Sequence, residues 1–208
     1  MFKLIIMRQT LSESVRLSDV VEIVLGQTFR GKAESSDSSS EIKLIQIKDV
    51  IDTRINSIEH LPYADLPAGK LKVKIQPNDL LLPLRGNKFR ASLFTFDSSI
   101  AQVTTTNQVA VLRASTDKIN IRYLLWYLNY ISGRNALAQI SKGSTIPAIK
   151  RSDLDSLEIP LPTLHKQLKI VAIYFNWLEQ TEVLKEMLIN GEKLTERHCY
   201  DLSHGEDS

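Results

Sequence analysis

The C-terminal part of the sequence limits how this chain can fold more than any other feature. From Leu164 to about Tyr200 it contains no proline and one glycine. As one helix this stretch would be roughly 55 Å long at 1.5 Å per residue, which is too long to lie inside a small domain. Within it a series with alternating spacings of three and four residues predicts a seam for packing against another helix. The series is Ile170, Ile173, Trp177, Gln180, Leu184, Met187, Gly191, Leu194 and His198.

Three members of that series, Gln180, Gly191 and His198, are imperfect for a coiled coil. The prediction is nevertheless a protruding helix whose seam needs a partner helix. The alternative is an ordinary amphipathic helix that packs on its own globular domain.

Upstream of this stretch the sequence predicts short strands separated by irregular loops. Alternation of apolar and polar residues, or a short continuous apolar run, marks each strand. The predicted strands are Lys43–Ile47, Leu71–Ile75, Leu80–Leu82, Ser92–Phe96, Gln108–Leu112 and Leu157–Pro162. The last is expected at a sheet edge, because proline cannot donate to a central ladder. The run from Ser35 to Ser40 is too polar for a regular element and predicts a loop.

Helical spacing appears once before the C-terminal stretch. Apolar residues from Ile121 to Ile131 follow one helix face, with Asn120 as the N-cap and Gly133 as the expected end. A second short helix is expected from Arg134 to Ile140. The predicted fold class is therefore α+β. A strand-rich domain with short helices spans residues 1–163, a long C-terminal helix of coiled-coil type spans 164–200, and an acidic tail spans 201–208.

Charge is spread unevenly along the chain, which the net charge of +2 conceals. Residues 80–152 carry 10 Lys and Arg but only two acids, Asp97 and Asp117, and no acid lies between Lys118 and Ser152. Residues 153–208 are net negative. A segment depleted in acids suits a polyanion, since carboxylates repel phosphates while Lys and Arg bind them. The alternative is that these charges are scattered over several faces after folding.

Three groups of residues are candidates for contact with nucleic acid, because Lys, Arg, Ser and Thr bind phosphates while Arg, Asn and Gln recognise bases. The first cluster is Arg85, Asn87, Lys88 and Arg90; the second is Lys142, Ser144, Thr145 and Lys150, with Arg151 beside it; the third is Arg30 and Lys32. A polar stretch, Gln102 and 104–107, offers further base contacts. Two alternatives stay open: Arg85 as an internal hydrogen-bonding residue, and Ser144 and Thr145 as caps of the turn before Pro147.

Motifs for catalysis are missing from the sequence. It has no glycine-rich dinucleotide motif, no phosphate loop and no Gly-x-Ser-x-Gly elbow. The four histidines lack metal spacing, and the single cysteine, Cys199, excludes an internal disulfide. No cofactor, no metal and no enzymatic activity are expected. The longest apolar run near the start, Leu4–Met7, is too short for a membrane span, so a cytoplasmic protein is expected.

Several segments together match the pattern of a known family. They are Val15–Val20 with Gly26, Ile45–Val50, Gln76–Leu81 continuing to Arg85 and Gly86, Gly143–Pro147, Leu154, and Ile159–Pro162 ahead of the long helix. The chain resembles one half of the DNA specificity subunit of type I restriction-modification systems, namely one target-recognition domain plus one spacer helix. Asn78 stands where the family commonly has Gly. Thr163 and Lys166 replace the usual Pro and Glu, while Leu164 and Gln167 match it.

This resemblance implies a non-catalytic subunit that recognises a DNA sequence. Its expected partners are double-stranded DNA, an adenine methyltransferase (modification) subunit and, for cleavage, a motor-nuclease (restriction) subunit. One half is expected to form a two-fold dimer through the helix seam and to recognise a symmetric, interrupted site. The dimerisation residues are then Ile170, Ile173, Trp177, Leu184, Met187 and Leu194. Pairing with a separate second half is the alternative. A different class also remains open: a protein-binding adaptor with a helical oligomerisation stalk and no DNA binding.

Overall fold

The computed structural model describes residues 13–35, 41–97 and 101–205 of the 208-residue chain. The apolar run Leu4–Met7, all of the predicted polar loop except Ser35, and the last three residues of the predicted tail lie outside these ranges. The chain divides after Gln167 into two compact units, which we call the body (up to Gln167) and the distal helix (from Leu168).

The described body mixes strands and helices, which confirms the α+β prediction. The strands are β1 Glu13–Arg16, β2 Val21–Leu25, β3 Ile42–Ile45, β4 Arg54–Ile55, β5 Leu80–Pro83, β6 Ser92–Phe94, β7 Gln102–Thr105, β8 Val109–Ala114 and β9 Glu158–Leu161. The helices are α1 Ile121–Asn129, α2 Ile131–Ile140, α3 Arg151–Asp155 and α4 Leu164–His204. Three short 3-10 turns lie at Leu17–Asp19, Ile47–Asp49 and Ala68–Lys70.

A five-stranded sheet in the order β2-β8-β5-β6-β4 forms the centre of the body. All four residues of β5 are buried, as expected for a continuous apolar run inside a sheet covered on both faces. The parallel pair β3-β7 and the antiparallel pair β1-β9 form two smaller sheets. Because β1 pairs with β9, the first and last strands of the described part of the body lie side by side.

Several predicted elements differ from the structure. The stretch Leu71–Ile75 is not a strand, so that prediction was wrong. It is extended chain joined to β7, where the Ile75 amide donates to the Val103 carbonyl over 2.9 Å and the Thr104 hydroxyl donates to the Val73 carbonyl over 2.7 Å. These hydrogen bonds satisfy backbone groups of the extended chain without a regular ladder. Its side chains still alternate between more and less exposed positions, which explains the strand-like pattern.

The turn before β5 is fixed by a buried carboxylate. Asn78 has φ +71°, a left-handed conformation that Asn tolerates better than other non-glycine residues. Asp79 accepts from the Gln76 amide over 2.7 Å and forms a two-point ion pair with Arg113, both contacts 2.8 Å long. The hydrogen bond to Asp79 raises the pKa of Arg113. Arg113 therefore stabilises the fold through Asp79, although it is one of the basic residues of the acid-poor segment.

The start of α1 confirms the predicted cap, because the Asn120 side chain accepts from the Arg122 and Tyr123 amides. The predicted end at Gly133 was wrong. The first helix ends at Asn129, and Gly133 lies inside α2, where an added Cβ would come within 2.0 Å of the Tyr127 carbonyl oxygen. This glycine is needed for the close contact between α1 and α2 rather than for ending a helix.

The long helix α4 begins at Leu164 as predicted and continues to His204, into the predicted acidic tail. Its first turn belongs to the body. There the fully buried Gln167 accepts from the Asn120 amide over 2.8 Å and donates to the carbonyls of Lys118 and Pro162 over 2.9 and 2.8 Å. In the part of the chain that the structure describes, no helix combines the length and the hydropathy needed to cross a membrane.

Candidate nucleic-acid interface

Strand pairing brings distant parts of the sequence to one end of the central sheet. Leu25 at the end of β2 lies opposite Ala110, and Pro83 at the end of β5 lies opposite Val109 at the start of β8. The chain leaving β2, the chain leaving β5 and the turn entering β8 must therefore share this end. We call it the loop end and define it as residues 26–32, 84–90, 106–108 and 142–150.

Backbone hydrogen bonds join the first and second predicted clusters at the loop end. The Leu84 amide donates to the Gln108 carbonyl over 2.8 Å, and the Ile149 amide donates to the Leu84 carbonyl over 2.9 Å. Two residues after Leu84, the Gly86 amide donates to the Pro147 carbonyl over 3.0 Å. The segments around residues 85 and 147 are thus adjacent, although some sixty residues separate them along the chain.

The first cluster lies on an exposed loop. Arg85, Asn87, Lys88 and Arg90 are all exposed, while Phe89 between them is buried and anchors the loop. Gly86 turns the chain with φ +113°, which only glycine adopts readily. Exposure of Arg85 argues against the alternative of an internal hydrogen-bonding role.

Grooves lie on both sides of this loop. One, of about 450 Å³, includes Ile47 and Ile51 in its lining along with the loop residues. The other, of about 460 Å³, also contains Arg134 and Asn135 of α2. Arg134 is exposed and was missed as a candidate, because a helix position in the sequence does not show which loop it faces.

The loop is also fixed from the helical side. The Asn129 side chain at the end of α1 accepts from the Ala91 amide over 2.9 Å and donates to the Ala91 carbonyl over 2.8 Å. The Asn129 side chain thus pairs with both backbone polar groups of Ala91, as a neighbouring strand residue would. It sets the end of the loop against the α1-α2 corner.

The second cluster forms a tight loop closed by the reciprocal backbone bonds between Lys142 and Ala148, each 2.8 Å long. Ser144 and Thr145 are exposed at its tip, and within the described residues neither side chain forms a hydrogen bond. The alternative role of capping the turn is therefore not observed. Lys142 is paired with Asp153 over 3.0 Å, so its charge is partly neutralised, whereas Lys150 is exposed.

The third cluster meets the polar turn between β7 and β8. Lys32 lines a groove of about 720 Å³ together with Asn107 and Gln108. Arg30 and Lys32 also line a neighbouring groove of about 600 Å³ that contains Lys70 and Lys72. The last two lysines were not candidates, because their segment carries no net charge in the sequence and its fold was predicted incorrectly.

The polar stretch before this turn, Gln102 and 104–107, contains both buried and exposed residues. Thr104 and Thr105 are fully buried, and the Thr105 hydroxyl donates to the Ile45 carbonyl over 2.7 Å. Their suggested contact with bases was wrong, since both side chains are buried. Asn107 and Gln108 are exposed, and the Asn107 amide donates to the Gln27 carbonyl over 3.0 Å. Within the stretch, Gln102 and Asn107 therefore remain available to a ligand, one at each end.

One ion pair lies within the largest of these grooves. Lys48 donates to Glu34 Oε1 over 2.8 Å, and Gln46 Nε2 donates to the same oxygen over 2.7 Å. The hydrogen bond from Lys48 lowers the pKa of the Glu34 carboxyl, and the same contact raises the pKa of Lys48. Glu34 therefore remains an anion and an acceptor of hydrogen bonds.

The arrangement has the chemistry of a polyanion-binding surface with a more varied groove at one side. Exposed cations lie on the first loop, whereas amide and carboxylate side chains line the groove around Asn107 together with Lys32 and Lys48. Within the described residues no group of three or more His, Cys, Asp or Glu side chains is arranged to hold a metal ion.

Comparison with known proteins gives consistent matches over most of the chain. The family described as "Type I restriction modification DNA specificity domain" matches residues 11–190. The HsdS subunit from Thermoanaerobacter tengcongensis is similar in fold, with a TM-score of 0.63 and 23% identity over 86% of this chain. A chain of a type I R-M system, solved to explain complex assembly and conformational transition, gives 0.64 and 23% over 90%.

A third similar structure is the type I restriction-modification S subunit from M. genitalium, with a TM-score of 0.59 and 14% identity over 97% of this chain. In all three comparisons the matched region is 40–47% of the solved chain. The chain therefore spans less than half the length of the structures it resembles.

Proposed function

The chain belongs to the type I restriction modification DNA specificity domain family, and from that premise we propose that it recognises a sequence in duplex DNA with its loop end. Recognition, rather than catalysis, is the role we assign to it. The target we assign is one part of a divided site, which follows from the resemblance to one half of a specificity subunit.

The observation that supports this proposal is that distant segments of the chain come together at the loop end. Residues from four separate segments, spread between positions 26 and 150, meet at one end of the central sheet. This supports a single binding face, in contrast to the alternative in which the charges of the acid-poor segment are scattered. Lys and Arg at such a face would neutralise phosphates and release counterions.

Different parts of the loop end suit different contacts. Lys88 and Arg90 are exposed cations next to Arg134, which favours contact with the phosphate backbone. Asn87 lies on the same loop, and its amide group can pair with an adenine edge. Ser144, Thr145 and Lys150 extend this surface on the neighbouring loop.

The distal helix supports a second part of the proposal, namely that it pairs with a second copy of this chain. Ile173, Trp177, Leu184, Met187 and Leu194 are each more than half exposed and share one helical seam. A two-fold pair would place two loop ends on a symmetric, interrupted site. A separate second half that offers a similar helix is the competing partner.

We also propose the partners that follow from the family. An adenine methyltransferase subunit would modify the recognised site, and a motor-nuclease subunit would cleave DNA in a system that restricts. The chain itself would supply neither activity.

The salt dependence of duplex binding tests the DNA-binding part. The unmodified chain should bind duplex DNA with an affinity that falls linearly with salt on logarithmic axes. Lys88→Ala and Arg90→Ala should each weaken binding to all sequences and lower the slope by about one.

Lys193→Ala is the matched control, because it removes the same charge from an exposed position of the distal helix. Its slope should equal that of the unmodified chain. If the chain shows no salt-dependent binding to duplex DNA, the protein-binding adaptor replaces the present proposal.

A further inference from the structure

Glu34 is out of place on a surface that binds phosphates, because a carboxylate repels them. It lines a groove of about 720 Å³ beside the loop end, together with Lys32, Lys48, Asn107 and Gln108. We propose that Glu34 accepts a hydrogen bond from the exocyclic amino group of a base and so determines part of the sequence that is recognised. This inference rests on the proposed function, since it names one specificity-determining contact within it.

The backbone around Glu34 is firmly held. The Ser35 amide donates to the Tyr63 carbonyl, and the Asp65 amide donates to the Ala33 carbonyl, both over 2.8 Å. Glu34 itself lies opposite Ala64 in a β-bridge. A side chain mounted on a paired backbone loses little conformational freedom on binding, which favours selectivity.

The carboxylate is also oriented by its neighbours. Lys48 and Gln46 both donate to Oε1, and the Gln46 backbone amide in turn donates to Asp49 over 2.8 Å. Within the described residues Oε2 accepts no hydrogen bond. One oxygen is therefore fixed in place, while the other keeps its acceptor capacity for a ligand.

Other residues that line the same groove have matching chemistry. Asn107 and Gln108 lie on the turn that Gln27 holds through the Asn107 amide, and Gln108 is joined to the first loop through Leu84. Amide side chains both donate and accept, so they suit base edges better than phosphates. The groove around Glu34 is thus continuous with the surface that we assign to the DNA backbone.

The chemistry of the base follows from the acceptor. An ionised carboxylate can only accept, and the amino groups at cytosine N4 and adenine N6 are the donors that the major groove presents. Guanine and thymine present acceptors at the same position, and Glu34 would reject them. We therefore expect a preference for an amino-bearing base at one position of the site.

A competing role for Glu34 is to hold Lys48 in position for a phosphate. The two roles differ in what substitution does. If Glu34 only positions Lys48, then Glu34→Gln and Lys48→Ala should both weaken binding to all sequences alike. If Glu34 contacts a base, Glu34→Gln should change the preferred base while general affinity stays equal or rises slightly.

The experiment is selection of bound duplexes from a pool with randomised sequence, using the purified full chain. The unmodified chain should enrich cytosine or adenine at one position, and Glu34→Gln should lower that discrimination about tenfold or more. Lys48→Ala should lower affinity without changing the base preference. Glu192→Gln removes the same charge from an exposed position of the distal helix and should change neither.

The outcomes separate this inference from the proposed function. If the unmodified chain enriches a sequence and Glu34→Gln enriches the same one with equal discrimination, the contact with a base is wrong and the proposed function stands. If Glu34→Gln and Lys48→Ala reduce affinity for all sequences alike, the contact with a base is also wrong and the proposed function stands. If the unmodified chain enriches no sequence, the proposed function fails and this inference fails with it.

Discussion

The body and the distal helix differ in how far they expose their apolar side chains. In the body, the run Leu80–Leu82 is completely buried inside a sheet. In the distal helix, Ile173 and Met187 are 74% and 66% exposed. The body is therefore stabilised by contacts within itself, whereas the helix carries an apolar stripe whose burial requires another surface.

Polar side chains show the same contrast. Gln167, in the first turn of α4, is fully buried and forms hydrogen bonds to three backbone groups. Gln180, thirteen residues further along the same helix, is exposed, and its side chain donates to the Asn176 side chain over 2.8 Å. Identical residues in one helix thus stabilise the fold in one region and lie at its surface in the other.

The largest expected effect comes from charges placed in the seam of the distal helix. Trp177→Asp and Leu184→Asp should each raise the dissociation constant of a dimer at least about a hundredfold, because each would bury a carboxylate between helices. Sedimentation equilibrium measures this. Ile189→Asp introduces the same charge on the side away from the seam and should leave the dimer intact. A monomer in the unmodified protein would contradict self-association.

The next effect compares the two glutamines. Gln167→Ala should lower the free energy of unfolding by about 3 kcal/mol, because the amide of Asn120 and the carbonyls of Lys118 and Pro162 would be left without partners. Gln180→Ala should change it by less than about 0.5 kcal/mol. Urea denaturation measures both, and equal losses would show that Gln167 does not stabilise the body as described.

The smallest expected effects are those of alanine substitutions at two glycines, which should change stability in opposite directions. Gly133→Ala should destabilise the body by about 2 kcal/mol, since the new methyl group would overlap the Tyr127 carbonyl. Gly191→Ala in the distal helix meets no atom within 4 Å and should stabilise the helix by about 1 kcal/mol. Thermal unfolding distinguishes them. A gain from Gly133→Ala would mean that α1 and α2 separate readily.

Local patterns allowed much of the fold to be predicted. The long helix lacks prolines, the cap at Asn120 is a local hydrogen bond, and the run Leu80–Leu82 has few alternatives to a buried strand. Each of these depends on neighbours within a few residues. They are the features on which sequence periodicity is informative.

Predictions failed where distant contacts decide the structure. Glycine is common at helix ends, but Gly133 lies inside α2, where it allows close contact with the end of α1. Thr104 is polar and looks in the sequence like a surface residue. In the fold it is buried, and its hydroxyl donates to the Val73 carbonyl. Arg113 contributes to the basic segment in the sequence but is paired with Asp79 in the fold.

The candidate site shows the same limits. The clusters around Arg85 and Lys142 were predicted separately from charge, and only strand pairing shows that they are neighbours. Glu34 was not a candidate, because a single acid in a neutral segment gives no signal. Its importance depends on the groove that it lines with the turn between β7 and β8.

Amide hydrogen exchange with and without duplex DNA locates the binding face along the chain. If the loop end binds DNA, then DNA slows exchange within residues 26–32, 84–90, 106–108 and 142–150 and leaves the β1-β9 pair unchanged. Protection confined to segments outside the loop end, or no protection at a saturating concentration of DNA, would contradict binding by the loop end.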